Sequence, residues 1–188
     1  EAAERAASLL RSGSTHAAMK GLIHTDILLK ALLDARAGLR QPGERVSHVF
    51  LADIPAYPKL LAITDAAVNI APDLSAKAAI LQHAIDLMAS IGVDLPKAAI
   101  LSAVETVNPL ISSSLDAAAL SVMSHRGQVR GALVDGPLAF DNAISLKAAE
   151  VKGIASPVAG DADILLVPDL VSGNILANNL EYMADATL

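Results

Sequence analysis

Beyond Lys97 the sequence repeats one pattern three times: a short, wholly apolar run, a loop, then a stretch with helical spacing. The runs are Ala98-Ala99-Ile100-Leu101, Ala132-Leu133-Val134 and Ile164-Leu165-Leu166-Val167, and the helical stretches begin near Ser114, Asp141 and Asn174. An apolar run without alternation reads as a strand covered on both faces. Strands alternating with helices are joined by crossovers into a mostly parallel sheet. The expected fold class is therefore α/β. Loops leaving the carboxyl ends of such strands are where open sheets bind ligands. Two stretches expected there, Ser102 to Pro109 and Val134 to Asp141, gather polar groups.

The segments before Lys97 are read from their punctuation. Residues 1 to 11 are alanine-rich and helix-prone, and Ala17-Ala18-Met19 is expected to be a short buried strand that delivers Lys20-Gly21 to a loop. A helix follows, capped by Thr25 or Asp26, supported by Asp26 and Lys30 as an i,i+4 pair, and ended by Gly38. Arg40-Gln41-Pro42-Gly43-Glu44-Arg45 is turn-rich and marks a boundary between two domains. Val49 to Ala52 and Leu60 to Ile63, on either side of Pro55-Ala56-Tyr57-Pro58, suit a hairpin-like pair of strands. After Pro72, Asp73 reads as an N-cap. Leu74, Ala78, Leu81, Ile85 and Met88 then share one helical face, with Lys77, Gln82 and Asp86 opposite. Ser113 with Asp116 has capping-box character, and His125 and Arg126 suit a helix carboxyl end before Gly127.

Composition removes several classes of function. A hydrophobic content of 53% with 2% aromatic residues means a core of Ala, Leu, Ile and Val, and 18% charge argues against disorder. A net charge of -6 without a Lys/Arg stripe gives no footprint for nucleic acid. No apolar run nears the ~20 residues of a membrane helix. The lack of cysteine excludes disulfides and thiolate metal sites within these 188 residues and weakly favours the cytoplasm. His16, His24, His48, His83 and His125 show no metal-ligand spacing, and neither a dinucleotide-binding glycine motif nor a Walker motif occurs. The start, without Met and in mid-helix, lacks signal-peptide character and reads as that of a fragment.

Several residues have the chemistry to contact an anion or an acyl group. Lys20 before Gly21 is either an anion contact or a solvated lysine at a strand end. His24 and Thr25 stand where a helix start attracts anions, although Thr25 equally serves as a cap. Ser102, Glu105 and Asn108 either orient a ligand or satisfy backbone at the strand exit. In Asp135-Gly136-Pro137 a carboxylate sits beside a flexible and a rigid residue at an expected strand end. In Pro168 to Asn174, Ser172, Gly173 and Asn174 either present backbone N–H groups to phosphate or form a plain helix cap.

Val104-Glu105-Thr106-Val107-Asn108-Pro109, Ser114-Leu115-Asp116-Ala117-Ala118, Arg126-Gly127-Gln128, Asp135-Gly136-Pro137-Leu138 and Pro168-Asp169 through Gly173-Asn174 together resemble the phosphate acetyltransferase/phosphate butyryltransferase family. The likeness runs from about Ser12 to the end. Met19-Lys20-Gly21, Ser47-His48-Val49 and Thr64-Asp65 bring it closer to the butyryl-type branch and its acetyltransferase relatives, some of which carry a hydratase domain. The resemblance implies a three-layer α/β/α fold of the isocitrate/isopropylmalate dehydrogenase type, with a cleft between two domains. It implies transfer of an acetyl or butyryl group between coenzyme A and inorganic phosphate, both as substrates, with no tightly bound cofactor, no metal, a cytoplasmic location and a homodimer or higher homo-oligomer.

By the same resemblance Thr64, Asp65 and Asp135 are catalytic candidates. Lys20, Gly21, His24, Thr25, Lys30, Ser102, Glu105, Asn108, Gly136, Gly173 and Asn174 are candidates for binding coenzyme A and phosphate. Lys30 stands where acetyl-type relatives carry an arginine, and its other reading is a simple partner of Asp26. Ala66 stands where acetyl-type members place a cysteine, so phosphate is expected to attack the thioester directly in a ternary complex. Complete members continue to a Ser-Arg-x-Asp motif that this chain does not reach. Residues 1–40 are accordingly expected to be the remnant of an incomplete first domain and 46–188 a nearly complete second one, the 188-residue piece being inactive by itself. A non-catalytic coenzyme-binding or dimerising module, and a decarboxylating dehydrogenase of similar fold, are the alternatives.

Overall fold

The apolar runs become the strands β1 (Val49–Ala52), β2 (Leu61–Thr64), β3 (Lys97–Leu101), β4 (Leu133–Leu138) and β5 (Ile164–Leu166) of the computed structural model. It describes residues 1–34, 36, 38, 39 and 44–188, and only the backbone of Thr25. The strands form one sheet in the order β1-β2-β5-β3-β4. β1 pairs antiparallel with β2, as the hairpin reading expects, and every other pairing is parallel. The sheet is thus mixed, and the fold is α/β.

Helices cover both faces because successive strand residues point opposite ways. Ala62, Ala98, Ile100, Ile164 and Leu166 pack with Ile80, Leu81, Ala84, Ile85 and Met88 of α3 (Leu74–Ser90) and with Ala117 and Leu120 of α4 (Ser112–His125). Leu61, Ile63, Ala99, Leu101 and Leu165 pack instead with Ala143 of α5 (Phe140–Ile144), Ala149 of α6 (Leu146–Val151), and Leu176 and Leu180 of α7 (Leu170–Met183). The helices following β2 and β3 therefore lie on one face, and those following β4 and β5 on the other. Loops leaving neighbouring strands diverge, which opens crevices at the carboxyl edge.

The chain divides into two compact units, Glu1–Val46 and Ser47–Leu188. The sheet belongs wholly to the second. In the first, α1 (Ala2–Arg11) and α2 (Thr25–Leu32) pack together, with Ala3 and Ala7 buried. Of the turn-rich boundary Arg40 to Arg45, residues 40–43 lie outside the described residues.

Several local expectations are corrected. Ala17, Ala18 and Met19 form no strand and lie exposed, Met19 at 98%, since no described strand pairs with them. The helix expected to end at Gly38 ends at Leu32, where the Leu33 N–H bonds back to Leu29 and closes the last turn. Its N-cap is His24, without a side-chain hydrogen bond, so Asp26 supplies no cap. α3 begins as expected on Asp73, whose carboxylate accepts the Ala76 N–H at 2.7 Å. Lys77, however, is buried, because its ammonium meets Asp116 on α4 at 2.6 Å. That ion pair and the Ser102–Ser113 hydroxyl contact at 2.9 Å displace the capping box expected from Ser113 and Asp116. α7 starts four residues before Asn174, because Asp169 and Ser172 cap it reciprocally.

Candidate functional site

Several of the polar candidates lie at the carboxyl edge of the sheet, in two neighbouring groups. The first surrounds the exits of β2 and β5. Thr64 is fully buried and donates its hydroxyl to the His48 carbonyl at 2.8 Å. Asp65, 3% exposed, accepts four N–H donors: Ala67 and Val68 at 2.9 Å each on Oδ1, and Asn69 Nδ2 at 2.6 Å and the His48 backbone at 3.1 Å on Oδ2. That set of partners makes Asp65 the anion around which the loop after β2 is wound. His48 packs edge-on against Phe50 with ring centroids 4.4 Å apart. Among the described residues its buried Nδ1 meets no hydrogen-bond partner, and burial, opposed by the nearby Asp65 carboxylate, holds its pKa below the usual value.

The first turn of α7 presses on this loop. A side chain at Gly173 would come within 2.7 Å of Val167 Cγ2 and 3.0 Å of Ala66 Cβ, so only glycine permits the approach. Gly173 and Asn174 thus sit inside the helix rather than in the strand–helix loop. The Ser172 N–H is used by Asp169 Oδ1 at 2.8 Å and the Gly173 N–H by the Asp169 carbonyl at 3.1 Å. Asn174 is exposed, and its side-chain and main-chain oxygens accept from Asn178.

The second group surrounds the exits of β3 and β4. Ser102 is buried, with its N–H on Leu138 and its hydroxyl on Ser113. Asn108 shapes the same loop: its N–H donates to Ser114 Oγ and its Oδ1 accepts from the Leu110 N–H, each at 2.9 Å. Glu105 Oε1 accepts from Asn142 Nδ2 at 2.7 Å and from Lys152 Nζ at 2.5 Å. The Lys152 hydrogen bond comes first among the causes that hold the Glu105 carboxyl below its ordinary pKa. Asp141 is lowered for the same first cause, and Lys152 is raised by the two carboxylates.

Asp135 and Gly136 are not in a loop. β4 continues through them to Leu138, with Asp135 opposite Ala99 and a register shift before Leu101 meets Leu138. The expected end at Val134 is overrun because the ladder resumes beyond the bulge. Gly136 passes close to β3: an added Cβ would lie 2.8 Å from Ile100 Cβ and from its carbonyl oxygen. Asp135 is half-buried and accepts the Gly136 N–H at 2.9 Å.

The remaining candidates belong to the first unit. Lys20 is exposed, and its ammonium folds back on the carbonyls of Gly21 at 3.2 Å and Ile23 at 3.1 Å. Gly21 is exposed, His24 caps α2 through its backbone, and Thr25 is the first residue of that helix. Lys30 and Asp26 help line a cavity of about 490 Å³ beside α1. Among the described residues no group of three or more His, Cys, Asp or Glu side chains is arranged to hold a metal ion.

Residues 1–188 match the family described as phosphate acetyl/butaryl transferase. The chain belongs to this phosphate acetyl/butyryl transferase family. It is 53% identical to a phosphate acetyltransferase of Rhizobium meliloti over 98% of the chain and 58% of that protein. It is 47% identical to a probable phosphate butyryltransferase of Bacillus subtilis over 100% of the chain and 62% of that protein. In fold it matches a branched-chain phosphotransacylase of Enterococcus faecalis with a TM-score of 0.88 and 36% identity, covering 98% of this chain and 65% of that one. The chain thus spans somewhat more than half the length of these relatives. No helix among its described residues is long and apolar enough to cross a membrane.

Within this chain, sequence reasoning missed the Lys152, Asp141 and Asn142 cluster at Glu105 and the Lys77–Asp116 pair. The partners lie 47 and 39 residues apart, beyond any local pattern. A lysine closing a short helix is the one local signal Lys152 offers.

Proposed function

We propose that the protein to which this chain belongs transfers an acetyl or butyryl group between coenzyme A and inorganic phosphate. The observation that carries the proposal is the 47 to 54% identity, over all or nearly all of the chain, with relatives named phosphate acetyltransferase and probable phosphate butyryltransferase. A phosphate oxygen attacks the thioester carbonyl carbon, the carbon–sulfur bond breaks, and the coenzyme leaves as a thiolate that takes a proton. Acyl phosphate and free coenzyme A result. Within these 188 residues no cysteine can form an acyl-enzyme, and Ala66 packs against Gly173. Direct attack then relies on positioning and on donors aimed at the developing oxyanion.

In this reading the carboxyl edge of the second unit binds the reacting groups. Thr64 and Asp65 fix the loop after β2, and the saturation of Asp65 by four N–H donors supports a shaping role rather than proton transfer. Asp135 and Gly136 line the β4 side, Ser102, Glu105 and Asn108 the β3 side, and Gly173 and Asn174 the start of α7. Lys20, Gly21, His24, Thr25 and Lys30 are candidates for contacts to the anionic groups of coenzyme A and phosphate. Coenzyme A and phosphate are substrates, and the reaction as written requires no metal.

The wider assignments are proposals too. Residues 1–40 represent part of a first domain and 46–188 most of a second, in a three-layer arrangement of the isocitrate/isopropylmalate dehydrogenase type. The protein works in the cytoplasm as a homodimer or larger homo-oligomer, for which the exposed Val171, Ile175 and Tyr182 on α7 offer an apolar face. The test is an assay of the full-length protein for phosphate-dependent release of coenzyme A from acetyl-CoA and butyryl-CoA. Release with stoichiometric acyl phosphate is expected. No release from either substrate would overturn the proposal, as would reduction of a nicotinamide coenzyme in its place.

A further inference from the structure

Lys152 caps α6 and reaches two segments that the sequence keeps apart. Its Nζ lies 2.5 Å from Glu105 Oε1, in the loop leaving β3, and 2.9 Å from Asp141 Oδ2, in the first turn of α5 beyond β4. Asn142, fully buried, donates to the same Glu105 oxygen. The one ammonium thus lets two carboxylates from neighbouring strand exits approach each other.

The other side-chain ties of this loop lie at its ends, Ser102 to Ser113 and Asn108 to Ser114. Between them Ala103, Thr106 and Val107 are exposed. Among the described residues, Glu105 is the one side chain between those ends that makes a hydrogen bond. We propose that Lys152 is a positioning residue: by neutralising Glu105 and Asp141 together it holds the loop leaving β3 against α5, and so sets the crevice between the β3 and β4 exits. This rests on the acyl-transfer reading, in which that crevice receives substrate. Without the ammonium, Glu105 and Asp141 repel, the Asn142 hydrogen bond alone ties Glu105 to α5, and the loop loosens. An exposed ion pair adds little to global stability, so its loss acts on turnover rather than on melting.

The experiment uses the full-length protein with Lys152→Met, Lys152→Arg, Glu105→Gln and the Glu105→Gln/Lys152→Met double variant. Lys152→Met is expected to lower kcat at least fivefold with a melting midpoint within about 3 °C of wild type, and Lys152→Arg to restore most of it. Because Lys152 acts through Glu105, the double variant is expected to be no slower than Glu105→Gln alone. Nitrogen-15 relaxation of the Ala103 to Val107 amides should show lower order parameters in Lys152→Met than in wild type. Wild-type kcat with unchanged relaxation would overturn the proposal, as would effects of the two substitutions that multiply. If the wild type released no coenzyme A, the acyl-transfer reading would fall by itself, and the relaxation data would still decide whether Lys152 holds the loop.

Discussion

The two edges of the sheet are held by different physics. At the amino edge Lys59 joins Asp161 at 2.7 Å and Asp163 at 2.8 Å, and Lys97 joins Asp161 at 2.6 Å. Tyr57 donates its hydroxyl to the Ala162 carbonyl at 2.6 Å, and burial, reinforced by Asp161 and Asp163, keeps that phenol protonated far above its ordinary range. Charge is matched to charge there, which ties the hairpin loop to the start of β5. At the carboxyl edge the Glu105–Lys152–Asp141 cluster also pairs charges, but the loops after β2 and β5 and the end of the loop after β3 are wound by single side chains bonded to backbone, as at Asp65, Asn108 and Asp169. They leave Ile70 73% and Leu110 93% exposed. One edge closes the fold, while the other fixes its backbone and leaves apolar side chains exposed.

The largest expected effect breaks the carboxyl edge. Asp65→Ala removes the buried carboxylate on which four N–H groups converge, and a hydrogen bond to a charged group is worth about 1.5–3 kcal/mol. A loss of about 3 kcal/mol in urea unfolding is expected, nearly independent of salt because no ion pair is removed. A loss below about 1 kcal/mol would mean that the loop rewinds around another acceptor. Gly173→Ala comes next: the added methyl meets Val167 and Ala66 at 2.7 and 3.0 Å, and overpacking should outweigh the helix propensity gained, for about 1–2 kcal/mol of destabilisation. Thermal denaturation would reveal an unexpected gain.

At the amino edge Lys59→Met should cost about 1 kcal/mol, as partly exposed pairs generally do. Its signature is salt: the gap between variant and wild type should narrow in 1 M NaCl, where screening reaches ~3 Å. A gap unchanged by salt would erase the distinction between the edges.

The smallest effect is a pH dependence at His48. Its folded pKa lies below the unfolded value of 6.5, so in the interval between the two the unfolded chain binds more protons and stability rises with pH. The contribution is complete above 6.5 and is lost as pH falls through the folded value. Melting followed from pH 7.5 to 5.5 should therefore show a shallower decline in His48→Gln than in wild type. Parallel curves would mean that burial of the ring does not disfavour its charge. Asp161 runs on carboxylate logic: hydrogen bonds from Lys59, then Lys97, lower it from 3.8, so its stabilisation holds above that value and fades as pH falls through the lower folded one.

The sequence by itself determined what depends on neighbours along the chain. The apolar runs at Ala98 and Ile164, the hairpin around Pro55 to Pro58 and the Asp73 cap are local patterns, and each is found where the pattern puts it. The family, too, was legible in short words such as Glu105 to Pro109. Tertiary structure alone decided what a residue does when its partner is remote. Met19 is apolar yet exposed because no described strand pairs with its segment, and Lys77 is charged yet buried because Asp116 waits on another helix. Glu105 stands in the sequence as a lone carboxylate at a strand exit, and only the fold brings Lys152 and Asn142 onto it from beyond β4. Periodicity records which face of an element is apolar, whereas the pairing of charges is fixed by the crossovers that bring distant exits of the sheet together.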